Sequence, residues 1–252
     1  MQLQSQTFGS GPPLIILHGL FGSLDNWHSI AGRLAAHFQV FTVDQRNHGR
    51  SPHSPHMNYQ LMAEDLREFM QAQHLATVRL LGHSMGGKTA MQFALAHPEK
   101  VVKLVATDIA PRAYLPLHQA IFDALLALDL SAFQTRGQVN KALARAIPNA
   151  SLRLFLLKSI GSLPDAGLFW KTNIRGIFEN SDNLRTGLTA TTAFGGPTLF
   201  IRGETSEFIQ DNDTPYILRL FPAATIRTIP GAGHWVHIDA PEPFLRAVLE
   251  FL

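Results

Sequence analysis

The stretch VRLLGHSMGGKTAMQ, residues 78–92, decides how this chain is read. Val78 to Leu81 is a short, continuous apolar run, the pattern of a strand buried on both faces. Residues 85–97 have the pattern of a helix, which Pro98 stops. Between them, Gly82-His83-Ser84-Met85-Gly86 matches G-x-S-x-G, and its place between strand and helix matters more than the pattern. So sharp a turn puts Ser84 in a strained backbone conformation. Glycines at 82 and 86 let strand and helix approach where larger side chains would clash. The serine oxygen then projects above the sheet edge, at a helix N-terminus that favours developing negative charge. Ser84 is the candidate nucleophile.

Outward from this turn the alternation continues. Apolar runs at 14–17, 40–43, 101–106, 199–201 and 225–229 each lead into turns bearing Gly or Asp. Between the runs, Trp27, Ala31, Leu34 and Phe38 fall at helical spacing, as do Tyr59, Met62, Leu66 and Phe69 with Asn58 as N-cap. Phe244, Val248 and Phe251 mark a last helix opened by Pro241 and Pro243. Strand–helix alternation of this kind predicts an α/β fold, a mostly parallel central sheet with helices on both faces. The rhythm breaks between about Pro111 and Gly196. Helical patterns at 117–128, 152–160 and 166–179 occur there without a convincing strand. The expectation is one core domain built from residues 1–111 and 196–252, with 112–195 inserted as an all-helical cap above the strand ends.

The 252 residues suffice for one large domain with a sizeable core, and 46% of them are apolar. The formal net charge is only +2, and no run of Lys or Arg forms a stripe, so nucleic acid is not an expected partner. With no cysteine, disulfides, thiolate catalysis and cysteine-ligated metals are excluded. The N-terminus, MQLQSQTFGSGPP, lacks the basic and apolar regions of a secretory signal, and no apolar stretch reaches the length of a membrane span. These readings predict a cytoplasmic protein, with monomer and homodimer equally compatible.

A neutral serine needs a base to take its proton. His234 lies in Gly231-Ala232-Gly233-His234-Trp235, after the last predicted strand, where the glycines allow a tight loop back over Ser84. The segment from His18 to Ser23, Gly-rich and following the first buried strand, can turn the Leu20 N–H inward. The Met85 N–H, just after the nucleophile, is the second donor of a predicted oxyanion hole.

Together these segments resemble the α/β-hydrolase superfamily and, within it, the bacterial YbfF-type esterases. The matching stretches are HGLFGSLDNW (18–27), DQRNHGRS (44–51), MNY (57–59), GHSMGGK (82–88), DIAP (108–111) and GAGHWVH (231–237). The cap region matches far less clearly. The resemblance implies hydrolysis of small-molecule carboxylic esters or acyl thioesters with neither metal nor organic cofactor. Most superfamily members carry the acid after the strand at 199–201, but there this chain reads Arg202-Gly203-Glu204-Thr205-Ser206-Glu207, with Ser206 at the expected Asp position. Asp108, just beyond the strand that follows the nucleophile helix, is the favoured acid, as the resemblance also implies. Ser206 is then auxiliary, and Glu204, Glu207 and Asp211 are the alternatives.

Phe21, His18, His83 and Trp235 complete the candidate substrate-binding or auxiliary set. Leu115, Phe122, Phe155 and Phe169 are further candidates for an apolar acyl pocket. The turn at 44–51 is expected to be structural. His48, His53 and His56, in a Pro-rich loop without acidic neighbours, are expected to be solvent-exposed rather than metal ligands. Lys88 is expected to be structural, since no reaction step requires its charge. Two other readings stand beside the esterase. One is C–C bond hydrolysis, lyase or perhydrolase chemistry on the same residues. The other is a binding module that has lost catalysis.

Overall fold

The computed structural model describes residues 1–163 and 167–252. Its strands are β1 (Ser5–Phe8), β2 (Pro13–Leu17), β3 (Gln39–Val43), β4 (Val78–His83), β5 (Val101–Thr107), β6 (Ile160–Leu163), β7 (Gly167–Trp170), β8 (Thr198–Gly203) and β9 (Ala224–Ile229). Seven of them form the central sheet in the order β1-β3-β2-β4-β5-β8-β9. Within this sheet only β1 is antiparallel to its neighbour. The six apolar runs of the sequence are β2, β3, β4, β5, β8 and β9. The edge strand β1, Ser-Gln-Thr-Phe, is half-exposed and has no apolar run to announce it.

The core helices are α1 (His28–Leu34), α2 (Tyr59–Ala72) and α3 (Met85–Ala96). The insertion holds α4 (Gln119–Leu126), α5 (Arg136–Leu143), α6 (Ala150–Leu157), α7 (Ile174–Glu179) and α8 (Ser181–Arg185). After it come α9 (Thr214–Leu220), α10 (Val236–Asp239) and α11 (Pro241–Phe251). The Asn58 side chain caps α2 by accepting from the Leu61 N–H at 2.8 Å. Along β2 the side chains alternate across the sheet. Leu14 and Ile16 join Trp27, Ile30, Leu34, Phe244 and Val248 in the core under α1 and α11. Ile15 and Leu17 join Met62, Leu66, Phe69, Met91 and Phe93 in the core under α2 and α3. Burial on both faces is the physical reason the central strands read as unbroken apolar runs.

The insertion corrects one expectation, because it is not all helical. Strands β6 and β7 pair antiparallel, Ile160 opposite Trp170. Ile160 opens a strand instead of ending a helix. Residues 167–170 are strand, and the helix expected over 166–179 starts only at Ile174; Ala166 lies outside the described residues. The reason is local. Gly167 has φ 68°, and the Phe169 ring lies over Gly161, where a Cβ would come within 2.2 Å of it. The two stems of the insertion run side by side. The Tyr114 N–H donates to Arg185 O at 2.9 Å and the Leu188 N–H to Pro111 O at 2.7 Å.

Candidate active site

Ser84, Asp108, Gly203 and His234 lie at or just beyond the carboxyl ends of β4, β5, β8 and β9, the edge where open parallel sheets bind ligands. Ser84 caps α3 with φ 52° and ψ −121°, a strained conformation for a residue with a side chain. The strain is held by close backbone approach. A Cβ on Gly82 would lie 2.3 Å from Gly86 O, and one on Gly86 would lie 2.4 Å from Leu17 O. The Ser84 N–H donates to Thr107 O at 2.9 Å, which fastens the turn to β5.

His234 Nε2 lies 3.1 Å from Ser84 Oγ, and its Nδ1 lies 2.7 Å from Asp108 Oδ2. Asp108 is fully buried, with φ 50°. Its Oδ1 accepts from the Gly203 N–H at 2.9 Å, and its Oδ2 also accepts from the Ser206 hydroxyl. Pairing of Thr107 with Ile201 in the sheet brings the end of β5 against the loop after β8, so this carboxylate occupies the place that loop would otherwise supply. Glu204 instead accepts from the Gly231 N–H at 2.8 Å, and Asp211 pairs with Arg202 at 2.5 Å. The Phe208 ring stacks on the His234 imidazole, 3.9 Å between centroids and 21° between planes. Nothing in the sequence marked Phe208, a lone aromatic in a loop. His83 Nε2–H donates to His234 O at 2.9 Å. Burial, with His234 and His237 nearby, holds the His83 pKa well below the usual histidine range, so its ring is neutral.

The loop after β2 is pinned by two buried histidines. His18 Nδ1–H donates to Gly19 O at 2.9 Å, and its Nε2 accepts from the Gln45 N–H at 3.0 Å. His48 Nδ1–H donates to Arg46 O at 2.9 Å, and its Nε2 accepts from the Phe21 N–H at 3.2 Å. Burial lowers His18 to about 4 and His48 to about 3, which keeps both acceptor nitrogens free. His48 is therefore buried, against the expectation of exposure; it folds inward because it supplies the acceptor that Phe21 needs at φ 61°. His53 and His56 are exposed. Asp44 accepts from the Leu24 N–H at 2.7 Å and from the Arg50 N–H at 2.9 Å, which gives the turn at 44–51 its structural role. The Leu20 N–H donates to no acceptor among the described residues. The Met85 N–H lies in the first turn of α3, where helical amides lack intrahelical partners.

Ser84 stands where two cavities meet. One, about 110 Å³, is walled by Met85, Lys88, Tyr59, Tyr114 and Phe122, with Leu115 among its lining residues. The other, about 310 Å³, is walled by Phe21, His83, Phe155, His234 and Trp235, with His18 behind them. Leu20, Leu117, His118 and Phe208 border both. Phe169 lines neither; it is spent covering Gly161. Ser206 lines neither as well; its hydroxyl donates to Asp108 and accepts from the Phe208 N–H at 3.3 Å. Among the described residues no group of His, Asp and Glu converges as metal ligands would, and no helix is long and apolar enough to cross a membrane.

A family model of the α/β hydrolase fold matches residues 12–241. The chain belongs to the α/β-hydrolase family. It is a hydrolase, and its relatives carry matching names. Esterase YbfF of Escherichia coli is 36% identical, covering 98% of this chain and 96% of its own length. An sn-1-specific diacylglycerol lipase of Danio rerio is 38% identical over 97% of this chain and 79% of its own. Among solved structures, a marine microorganism esterase superposes with a TM-score of 0.97 at 49% identity, covering 100% of this chain and 99% of that one.

Proposed function

We propose that the protein hydrolyses carboxylic esters, and acyl thioesters by the same chemistry, through an acyl-enzyme on Ser84. The observation that carries this reading is the unbroken contact line Asp108–His234–Ser84 beneath a two-sided cavity. Ser84 Oγ attacks the substrate carbonyl as His234 Nε2 takes its proton, and the Leu20 and Met85 N–H groups receive the oxyanion. Asp108 keeps the proton on Nδ1 and stabilises the imidazolium, with Ser206 and Gly203 steadying the carboxylate. His234 then protonates the leaving group, and a water activated by the same ring releases the acid.

The cavities divide the substrate. The leaving oxygen must lie next to the group that protonates it, and His234 borders only the larger cavity. The alcohol or thiol part therefore lies against Phe155 and Trp235. The acyl part enters the smaller cavity beside Met85, under residues 112–195 acting as a cap. The Tyr59, Met85, Tyr114 and Phe122 side chains that wall it make this cavity mostly apolar, which suits an acyl chain. The test is hydrolysis of p-nitrophenyl esters from acetate to palmitate and of acyl-CoA thioesters, with Ser84→Ala as control. Serine-dependent ester turnover is the expected result, with the chain-length profile sizing the smaller cavity. Fluorophosphonate labelling of Ser84 without ester turnover would overturn the esterase reading and favour C–C bond chemistry. Absence of labelling would point to a binding module.

A further inference from the structure

Two hydrogen bonds hold the edge of the His234 ring, Nδ1 on Asp108 and Nε2 on Ser84. Both lie near the ring plane, so they resist tilting about the line through the two nitrogens only weakly. The backbone adds little, since His234 follows Gly231 and Gly233, with Gly231 at φ 69°. What meets the face of the ring is Phe208, 3.9 Å between centroids and 21° between planes. Two neutral aromatic rings prefer offset or edge-on contacts, with centroids about 4.5–7 Å apart. A nearly parallel contact this close suits a ring that becomes a cation, because the electron-rich face of phenylalanine attracts it.

Phe208 is itself held on both sides. Its N–H donates to Ser206 Oγ at 3.3 Å, and the Ser206 hydroxyl donates to Asp108. Its carbonyl accepts from the Tyr114 hydroxyl at 2.6 Å, and the Tyr114 ring lies 5.6 Å from its own. Arg112 donates to the neighbouring Glu207 O at 3.3 Å. Arg112 and Tyr114 belong to the first stem of the insertion, so that stem holds the loop that lays Phe208 on His234. The other titratable groups near the imidazole are His83 on β4, His118 at the start of α4 and His237 on α10. Burial lowers all three and keeps them neutral, so among the described residues Asp108 is the charged group that meets the ring.

We infer that Phe208 is a positioning residue for the reaction: its face fixes the tilt of His234 between Asp108 and Ser84 and stabilises the imidazolium that forms as Ser84 attacks. This rests on the Ser84–His234 esterase reading. The proton leaving Ser84 Oγ stays on His234 Nε2 while the ring is cationic and then passes to the leaving group, so the aromatic face acts on the step between those transfers.

The test follows p-nitrophenyl butyrate hydrolysis across the range in which histidine titrates, in wild type, Phe208→Leu, Phe208→Tyr and Ser84→Ala. Leucine keeps an apolar cover on the imidazole and removes the aromatic face; tyrosine keeps the face. Phe208→Leu is expected to lose about tenfold in kcat, with the acid limb of its kcat/KM profile about half a pH unit lower because the imidazolium is no longer favoured. Phe208→Tyr is expected to keep the limb where wild type has it. A side chain that only packs or lines the cavity would change KM or stability and leave the limb in place. An acid limb that stays or rises in Phe208→Leu, or falls equally in Phe208→Tyr, overturns the assignment, while Ser84-dependent turnover in wild type leaves the esterase reading standing. Wild type without Ser84-dependent turnover overturns both. If Phe208→Leu does not fold, Phe208→Met takes its place and is read by the same shift of the limb.

Discussion

Replacing Asp108 by asparagine preserves the shape of the side chain and removes its charge and one acceptor. In the structure the carboxylate takes hydrogen bonds from the Gly203 N–H, the Ser206 hydroxyl and His234 Nδ1. An amide that keeps its oxygen on Gly203 turns its NH₂ toward His234. The imidazole then carries its proton on Nε2, facing Ser84 Oγ, and cannot accept the serine proton. The charge is lost as well. At 2.7 Å and an effective dielectric of about 20, the carboxylate attracts the imidazolium by about 6 kcal/mol. Since each 1.4 kcal/mol is tenfold in rate, kcat/KM is expected to fall about 10⁴-fold. The assay is steady-state hydrolysis of p-nitrophenyl butyrate, with circular-dichroism melting to show that the fold persists. Activity within about tenfold of wild type would refute the reasoning. A comparable loss in Glu204→Gln, with Asp108→Asn active, would move the role to the loop after β8.

Other consequences follow from the same geometry. Gly86→Ala drives a Cβ to 2.4 Å from Leu17 O and 2.5 Å from His18 O, both backbone atoms. It should cost about 3 kcal/mol, read as a lower urea midpoint, and slow fluorophosphonate labelling. His48→Ala strips the acceptor from the Phe21 N–H and loosens the loop that presents Leu20. We expect a loss of about 1–3 kcal/mol in stability and at least tenfold in kcat, and an unchanged kcat would show that the loop is held by other contacts. Burial lowers His18, His48 and His237 to about 4, 3 and 3 in the folded protein. The unfolded chain, with histidines near 6.5, therefore binds more protons once pH falls below that value. Their stability contribution is full above about pH 6.5 and is lost as pH falls toward 4 and then 3, measurable as a declining urea midpoint. His48→Asn should make that decline shallower.

Much of this was written locally. The Gly82–Gly86 turn between a strand and a helix located the nucleophile, because only glycine allows the backbone approaches found there. The apolar runs located the five inner strands, because burial on both faces leaves little room for polar alternation, whereas β9, at the sheet edge, is only partly buried. The pairing of β6 with β7 was less legible. The strands are only four residues each, and the Phe169 ring packs over Gly161 on the facing strand, a contact between partners that short apolar segments do not announce.

The site divided along the same line. Ser84 and His234 stood in glycine-framed turns that the sequence displays. Asp108 was favoured on position, but its contact with the imidazole arises from the pairing of β5 with β8, residues 95 apart at the Asp108–Gly203 bond. Phe208 and the burial of His48 left no local trace. Backbone conformation and burial periodicity act between near neighbours and so are carried by the sequence itself. Stacking on an imidazole and a hydrogen bond across a loop depend on what distant segments bring within a few ångströms, and only the tertiary structure decided those.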